Sequence, residues 1–506
     1  LKTPDILLAH SYALHNDPKQ AERARPYPPL ATLYAAAMLQ SRGYSVALFD
    51  STFQTGEAAF QATVDRLKPA TVALVEDSFH YVVKMCLAHQ RATACRMAKI
   101  ASRSGATVIV SGPDATDHRE PYFEHGADYV ILGEAENTLC DLMDILTRRA
   151  TGNPADVPGL VMPRTGPDAR YRRSPHRPSE KNLERIPAPA WDLIDASPYR
   201  DVWRKAHGKF SLNLASSRGC PFHCNWCSKP TWGQSYASRS PASVAEEMAI
   251  VKSLHSPDHI WFVDDVFGLR GNWIAEFAEE VAARGAEIPF TIQSRVDLMT
   301  DRAAAALASA GCEEVWMGAE SGSQKILDAM DKGIRCEAIG AACARLKAAG
   351  IRANLFLQFG YPGETLEDIL ATVGMVRETL PDEIGVSVTY PLPGTRFYDM
   401  VRQELGRKQN WHDSGDLAMM FQGTYRTPFY RRLHALVHQD LTLHRALASG
   451  SMNSDSLSAL GRLTEGWLEL GRLESRERSQ SPTILVDSTL RSASRLAARH
   501  AETIDA

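Results

Sequence analysis

"SSRGCPFHCNWCSKPTWG" (residues 216–233) holds Cys220, Cys224 and Cys227, separated by three residues and then by two. Structural zinc closes four ligands, usually as two paired knuckles. Here there is a single cluster, and the next cysteine, Cys312, lies far down the chain. His223 sits inside the loop as a conceivable fourth ligand, but its neighbours crowd it. A disulfide would leave one of the three thiols unpaired. An iron–sulfur cube is ordinarily held by four thiolates. With only three, one iron stays open to a small molecule.

Outward from this loop the chain alternates strand and helix patterns. "FSLNLAS" (210–216) feeds the cysteines, and strands are expected at 259–263, 289–293, 314–318, 353–359 and 385–390. Helical spacing fills 241–254, 274–284, 302–310, 336–349 and 365–379 between them. Six such units are short of a full eight-unit barrel and suffice for a partial (β/α)6 barrel.

The region before the loop repeats the alternation. Apolar runs at 5–10, 44–50, 70–77, 106–112 and 127–134 are separated by helices, the first opened by Pro28 and Pro29 and ended by Gly43. This is an α/β pattern, that of a doubly wound (Rossmann-like) parallel sheet. Ligands on such sheets bind beyond the carboxyl ends of the strands. Those ends carry Ser78, Ser111, Gly112, Gly133 and Glu134. Residues 151–190 are rich in Pro, Gly and charge, with one small hairpin expected at Leu160–Met162. Past residue 400 the pattern is helical. The expected division is 1–150, a front α/β unit; 151–204, a linker; 205–400, the partial barrel; and 401–506, a helical C-terminal region.

Composition narrows the classes of function. The 506 residues are 44% hydrophobic and 23% charged, with a formal net charge of -4. No basic excess suggests a nucleic-acid surface, and no apolar run reaches the length of a membrane span. The opening "LKTPDILLAH" lacks a basic region, apolar stretch and cleavage site, so no export signal is expected. Nine cysteines do not form a disulfide framework, which fits a reducing cytoplasm. Cys336 and Cys343 share one helix face as core residues, and Cys86, Cys95 and Cys140 are scattered.

The cysteine spacing after a first barrel strand resembles the signature of the radical S-adenosylmethionine (SAM) superfamily. Four later segments resemble its pattern in order: "FVDDVFG" (262–268), "GAESGSQKILDAMDKG" (318–333), "QFGYPGET" (358–365) and "YPLPGTRFYDM" (390–400). The resemblance implies a 4Fe-4S cluster on Cys220, Cys224 and Cys227. It implies SAM chelated at the open iron and cleaved by one electron to methionine and a 5′-deoxyadenosyl radical. It points to Phe222 and Trp226 beside the adenine and to Asp265 at the methionine amino group, with Asp264 as a weaker alternative. It points to Glu320 and Ser321 at the ribose and amino acid, and to Gln358 and Gly360 where backbone approaches the adenine. Gln293 and Arg295 end the third strand, and Arg295 is either a ligand to the SAM carboxylate or a structural ion pair.

The front unit with "PYPPLATLYAAAMLQSRGYSVALFD" (26–50) and "DYVILGEAENTL" (128–139) resembles the cobalamin-binding class of that superfamily, near the anaerobic magnesium-protoporphyrin ester cyclase and the hopanoid-modifying enzymes. The Asp-x-His-x-x-Gly sequence of cobalamin domains that ligate cobalt from below is missing from "AHSYALHNDPKQ" (9–20), so cobalamin without a lower histidine ligand is implied. The alternative is a front unit that keeps the fold and binds no cobalamin. The reaction implied is methylation of an unactivated carbon of a natural-product or lipid substrate; rearrangement, ring closure or oxidation without methyl transfer is the alternative. A SAM-binding sensor without turnover is a third reading, against which the intact cysteine triad argues. The expected partners are a small-molecule, lipid or peptide substrate and an electron donor such as a flavodoxin or ferredoxin.

Overall fold

In the computed structural model, which describes residues 3–163, 171–229, 231–449 and 454–477, the apolar runs of the front region form one sheet. Strands β1 (Ile6–Ala9), β2 (Val46–Phe49), β3 (Thr71–Val75), β4 (Thr107–Ser111) and β5 (Tyr129–Ile131) are parallel and lie in the order β2-β1-β3-β4-β5. Apolar clusters cover both faces, which is why these runs carry so few polar residues. The order reverses between β1 and β3, and such a switch point opens a crevice at the carboxyl ends of the strands. Asp77, just past β3, accepts the backbone N–H groups of Leu30 and Ala31 at 3.1 and 3.2 Å. It thereby caps the helix Leu30–Ser41, whose leading prolines offer no side-chain cap of their own.

The 151–204 stretch is more than a spacer. β6 (Leu160–Pro163) and β7 (Tyr171–Arg173) extend the front sheet antiparallel at its β5 edge, which includes the expected hairpin strand. The helix Ser197–His207 then packs back on the front unit. Tyr199 donates to Asp50 at 2.6 Å and Trp203 to the Pro26 carbonyl at 2.7 Å. Two buried aromatic rings with satisfied polar tips make this helix a brace.

The second sheet begins at β8 (Ser211–Leu214), followed by the short antiparallel pair β9 (Ser217–Arg218) and β10 (Ala237–Ser238) that closes the cysteine loop. β11 (His259–Phe262), β12 (Phe290–Ser294), β13 (Cys312–Glu320), β14 (Arg352–Phe359) and β15 (Ile384–Val388) complete six parallel strands in the order β15-β14-β13-β12-β11-β8. Alternate residues face the helices and are buried, such as Ile260, Phe262, Ile292, Val315 and Leu355. The intervening residues face inward and are polar or aromatic. Across one level they form a hydrogen-bonded belt: Ser211 to His259 (2.9 Å), His259 to Thr291 (3.0 Å), Thr291 to Glu314 (3.5 Å) and Arg352 to Glu314 (2.8 Å). Burial pushes His259 down to about 3, so it joins the belt as a neutral ring.

The C-terminal region departs in part from the helical expectation. Residues 402–426 run without regular helix, in turns held by Asp413 and Asp416, whose carboxylates accept nearby backbone N–H groups. This strap ties back to the front unit, with Ala88 N–H donating to the Trp411 carbonyl (3.0 Å) and Ser414 bonded to Asp17 (2.8 Å). The helices Thr427–Ala448 and Ser454–Glu477 follow, clamped by the buried Asp440, which binds Arg377 and Trp467. Residues 450–453 and 478–506 of the region expected to be helical lie outside the described residues.

The two sheets meet through a buried ionic contact. Arg218, on β9, reaches Glu134 (3.1 Å) and Glu136 (2.6 Å) beyond the carboxyl end of β5, and its guanidinium also lies over the rings of Tyr34 and Phe79. All three charged groups are almost fully buried. Removing the cation strands two carboxylates in low dielectric, a loss of about 3–5 kcal/mol. We predict that Arg218→Met lowers the thermal midpoint by many degrees and that Arg218→Lys fails to restore it, because an ammonium cannot fork to two carboxylates. A melting curve of Arg218→Met matching the parent would contradict this.

Candidate functional site at the cysteine loop

The loop between β9 and β10 is set by its first residue. Gly219 has φ +79°, and a Cβ there would stand 2.2 Å from the Ser235 carbonyl oxygen, so only glycine lets the chain pass. Asn225 pins the middle of the loop. Its side chain donates to the Ala329 carbonyl (2.7 Å) and accepts from the Tyr361 hydroxyl (3.0 Å), while its N–H meets the Met330 carbonyl. Between these anchors Cys220, Cys224 and Cys227 stand half-exposed with free thiols, and His223 is exposed. Burial pushes Cys227 up to about 12, with Asp265, Cys224 and Cys220 adding to the rise and Lys229 opposing it.

The surroundings are cationic. Arg295 lies 3.7 Å over the ring of Phe222, and its Nη1 is 4.0 Å from the Cys224 sulfur. Its other guanidinium nitrogens bond Asp297 (3.0 Å) and the Lys332 carbonyl (3.0 Å). Lys332 is buried and paired with Glu320 at 2.7 Å; the Lys229 ammonium is held by the Phe222 carbonyl. Cations beside thiols favour the thiolate, the form that binds metal. Among the described residues no three His, Cys, Asp or Glu side chains converge as ligands of one ion do; in a cube each thiolate binds a separate iron. Three free thiols on one pinned loop, with no disulfide and three flanking cations, fit a 4Fe-4S cluster.

The remaining expected positions divide. Phe222 lies in the cysteine loop beneath Arg295, which reaches Cys224, and Glu320 is tied to the same corner through Lys332, whose carbonyl accepts from Arg295. Glu320 has a left-handed backbone (φ +63°) at the irregular end of β13, a strained conformation for a side-chain-bearing residue. Asp265 is bound by Lys84 of the front unit at 2.6 Å. Its neighbour Asp264 is buried, accepts from Ser216 and Ser217, and titrates near 6 because of burial. Of the adjacent acids, Asp264 fixes the strand end and Asp265 is half-exposed. Gln358 ends β14 buried with its side-chain oxygen unpartnered, and Gly360 follows at φ +84°. Gln293 is half-buried on β12, opposite Trp316. Trp226 packs on the cluster around Met330, Tyr361 and Phe397, its indole N–H buried without a partner. Ser321 is fully buried, its hydroxyl bonded to Thr372 at 3.1 Å.

The front-sheet positions lie against this loop. Ser78 bonds Thr231 (3.2 Å), and a Cβ on Gly133 would come within 3.2 Å of the Thr231 carbonyl oxygen. Glu134 is committed to Arg218 and accepts the Glu180 N–H. Ser111 is buried, and Gly112 packs on Glu76. Glu76 in turn accepts from Ser11 and Gln90. His10 is buried and bonded to Asp50 at 2.9 Å; His15 is exposed and lines a cavity of about 150 Å3 with Ser11, Ser51 and Arg96.

Sequence reasoning passed over Arg218, Lys84, Lys332 and Glu364. Arg218 stands directly before the cysteine loop and Lys332 inside a quoted segment, so position alone could have raised both. Glu364 is fully buried; one oxygen accepts the Gly360 N–H at 2.6 Å and the other has no partner. Burial pushes its carboxyl from 4.5 up to about 8. Across that interval the folded chain holds a proton the unfolded chain has released, so stability falls as pH rises through it. We predict that Glu364→Gln removes this loss: the variant's melting temperature gains on the parent's by several degrees between pH 5 and pH 8. Parallel profiles would contradict it.

Comparison with known proteins agrees with this geometry. Residues 214–376 match the radical SAM superfamily and residues 20–143 the B12 binding domain. An uncharacterized methyltransferase of Pyrococcus horikoshii is 29% identical over 324 residues, 63% of this chain and 68% of the relative. The anaerobic magnesium-protoporphyrin IX monomethyl ester cyclase of Rubrivivax gelatinosus is 26% identical over 400 residues, 77% of this chain and 68% of the relative. The radical SAM methyltransferase TsrM from Kitasatospora setae, solved with cobalamin and a [4Fe-4S] cluster, has the same fold at a TM-score of 0.64. Its sequence is 19% identical, and the match covers 79% of this chain and 78% of that one. A radical SAM domain works with a 4Fe-4S cluster and SAM, and a B12 binding domain with cobalamin. The chain belongs to the radical SAM superfamily, in the class whose radical SAM domain follows a B12 binding domain.

Proposed function

We propose that the protein is a cobalamin-dependent radical SAM methyltransferase that methylates an unactivated carbon of a natural-product or lipid substrate. The observation that carries this reading is the contact of Ser78, Gly133 and Glu134, at the carboxyl edge of the front sheet, with Thr231 and Arg218 flanking the cysteine loop. A methyl relay needs its two cofactors face to face, and these are the edges on which each would sit. When bound, the cluster and SAM supply a 5′-deoxyadenosyl radical that takes a hydrogen from substrate, and cobalamin supplies the methyl group.

In this reading Cys220, Cys224 and Cys227 hold the cluster. Asp265 accepts hydrogen bonds from the amino group of SAM, and Arg295, fixed over Phe222, meets its carboxylate. Glu320, oriented by Lys332, takes the ribose, and Gln358 and Gly360 border the adenine. Trp226 supports the loop from below. Ser321, committed to Thr372, braces the end of β13. Ser78, Ser111, Gly112 and Gly133 form the cobalamin edge, with Glu134 fixing it through Arg218. His10 is held by Asp50, which supports cobalamin bound with no histidine beneath the cobalt. We assign 1–150 to the cobalamin unit, 151–204 to the connection, 205–400 to the radical SAM barrel and 401–506 to the C-terminal region. Among the described residues no helix is long and apolar enough to cross a membrane. A reducing cytoplasm with a flavodoxin or ferredoxin as reductant suits three free thiols.

Similarity to a cyclase over 77% of the chain favours a second reading, in which the radical closes or oxidises a ring without methyl transfer. Products separate the two. With SAM, reductant and a substrate, methyl transfer yields S-adenosylhomocysteine and 5′-deoxyadenosine together, whereas the second reaction yields 5′-deoxyadenosine alone. We predict both products in equal amount, with loss of both and of the brown chromophore in Cys224→Ala. Release of neither by the parent would contradict an enzymatic role.

A further inference from the structure

Beyond the hydrogen-bonded belt, toward the cysteine loop, the inward positions of the barrel turn aromatic: Trp261 on β11, Trp316 on β13 and Phe356 on β14. Their outward neighbours Ile260, Phe262, Val315 and Leu355 are fully buried, yet all three rings keep part of their surface exposed. Rings exposed on the inside of a barrel border open space. The belt is thus the floor of a chamber that opens at the carboxyl ends of the strands. Trp316 and Phe356 stack with their centroids 4.8 Å apart and their planes 26° from parallel. Gly385, beside Phe356 on β15, leaves room for that stack, since a Cβ there would stand 2.9 Å from the Phe356 ring and 3.4 Å from that of Trp316. Two near-parallel rings set the plane that a third ring adopts against them. Two strands away, Trp261 is backed by the front unit, its ring 5.0 Å from that of Tyr27.

An asparagine stands beside each tryptophan. Asn354 is the register partner of Trp316 and Asn213 that of Trp261, and each is 1% exposed. The Asn354 amide donates to Glu314, and the Asn213 amide to the Pro28 carbonyl at 3.0 Å. A carboxylate and a peptide carbonyl only accept, so each amide is turned one way, with its oxygen as the free end. Neither oxygen has a partner. A buried acceptor of this kind calls for a donor. Charge is already matched: Glu314 is paired with Arg352 at 2.8 Å and Glu320 with Lys332 at 2.7 Å, so no unpaired ion on these strands awaits a charged guest. We propose that the chamber receives the substrate through a flat, uncharged ring system that carries an N–H or O–H donor on its rim. The ring lies against Trp316 and Phe356, and the donor reaches the free oxygen of Asn354. Asn213 offers a second acceptor beside Trp261. A flexible acyl chain would match neither the paired rings nor the asparagine oxygen, so the observations favour a ring-bearing natural product over a lipid chain. Only in calling the guest a substrate does the inference rest on the enzymatic reading above; the preference for such a ring is a property of binding.

Two probes of the same flat shape isolate the donor: 2-quinolinone, which has a ring N–H, and coumarin, which has a ring oxygen in its place. Equilibrium dialysis of each against the anaerobically reconstituted full chain is expected to show 2-quinolinone bound about tenfold more tightly. Asn354→Leu, close to isosteric, brings the two compounds to equal affinity. Phe356→Leu weakens both by about threefold to tenfold and keeps the preference. Gly385→Ala, which presses a methyl group on the Phe356 ring, weakens both alike, and it decides the location of the site if Asn354→Leu does not fold. Equal affinity of the parent for the two probes, a preference that survives Asn354→Leu, or undiminished binding by Gly385→Ala overturns the inference. SAM cleavage by the same preparations is followed in parallel. Protein that cleaves SAM and binds neither probe sinks the inference and leaves the enzymatic reading standing. Protein that shows the preference and cleaves no SAM sinks that reading and leaves the chamber's selectivity in place.

Discussion

A single guanidinium holds the two working edges of this protein together. Arg218 leaves the first barrel strand region just ahead of the cysteine loop and is buried between Glu134 and Glu136, past the last parallel strand of the front sheet. Neither carboxylate could be buried alone, and neither could the cation. Their pairing therefore fixes where the loop begins relative to the switch-point edge of the front sheet. Gly219, with no Cβ to strike the Ser235 carbonyl, turns the chain from that anchor into the loop. The three cysteines follow directly on these two adjacent residues.

Around the anchor, the same residues serve folding and positioning. Asp77 ends β3 and caps the next helix in space, so the crevice edge is rigid rather than a free loop. Asp264, just past β11, locks to the serines before the loop, leaving Asp265 to pair with Lys84 of the front unit. The belt from Ser211 to Arg352 crosses five strands at one level; Asn354 joins it by donating its amide N–H to Glu314, and its side-chain oxygen is left without a partner. It seals one level of the barrel interior with hydrogen bonds where an apolar layer would pack elsewhere. The strap at 402–426 and the helices Tyr81–Lys84 and Ser197–His207 draw the two sheets into one body.

Much of this was legible in the sequence because period and punctuation are local. The runs "VALF" and "VALV" are apolar throughout and point to a doubly covered sheet, and Pro28, Pro29 and Gly43 bracket the first helix. The alternation within "HIWF" and "RANLF" also marked strands with two different faces. The cysteine spacing marks 216–233 as the candidate cluster loop. The partners of the charged residues stayed hidden, since Arg218 meets acids more than eighty positions away and Lys84 meets Asp265 across the chain's two halves. Nothing local distinguishes Asp264 from Asp265, or Ser321, turned into the packing, from Glu320 beside it. The strap was read as helical because its few apolar residues are compatible with helical spacing; the Asp and Gly turns that break it act through side-chain bonds to backbone.

The central claim is that cluster and corrinoid occupy facing edges of one interface. Electron paramagnetic resonance of the anaerobically loaded protein, with the cluster reduced by one electron and the cobalt in its Co(II) form, reads that directly. Facing edges predict magnetic interaction between the two spins, seen as broadening and faster relaxation of the cobalt signal. Two independent signals, each identical to that of protein carrying one group alone, would contradict it.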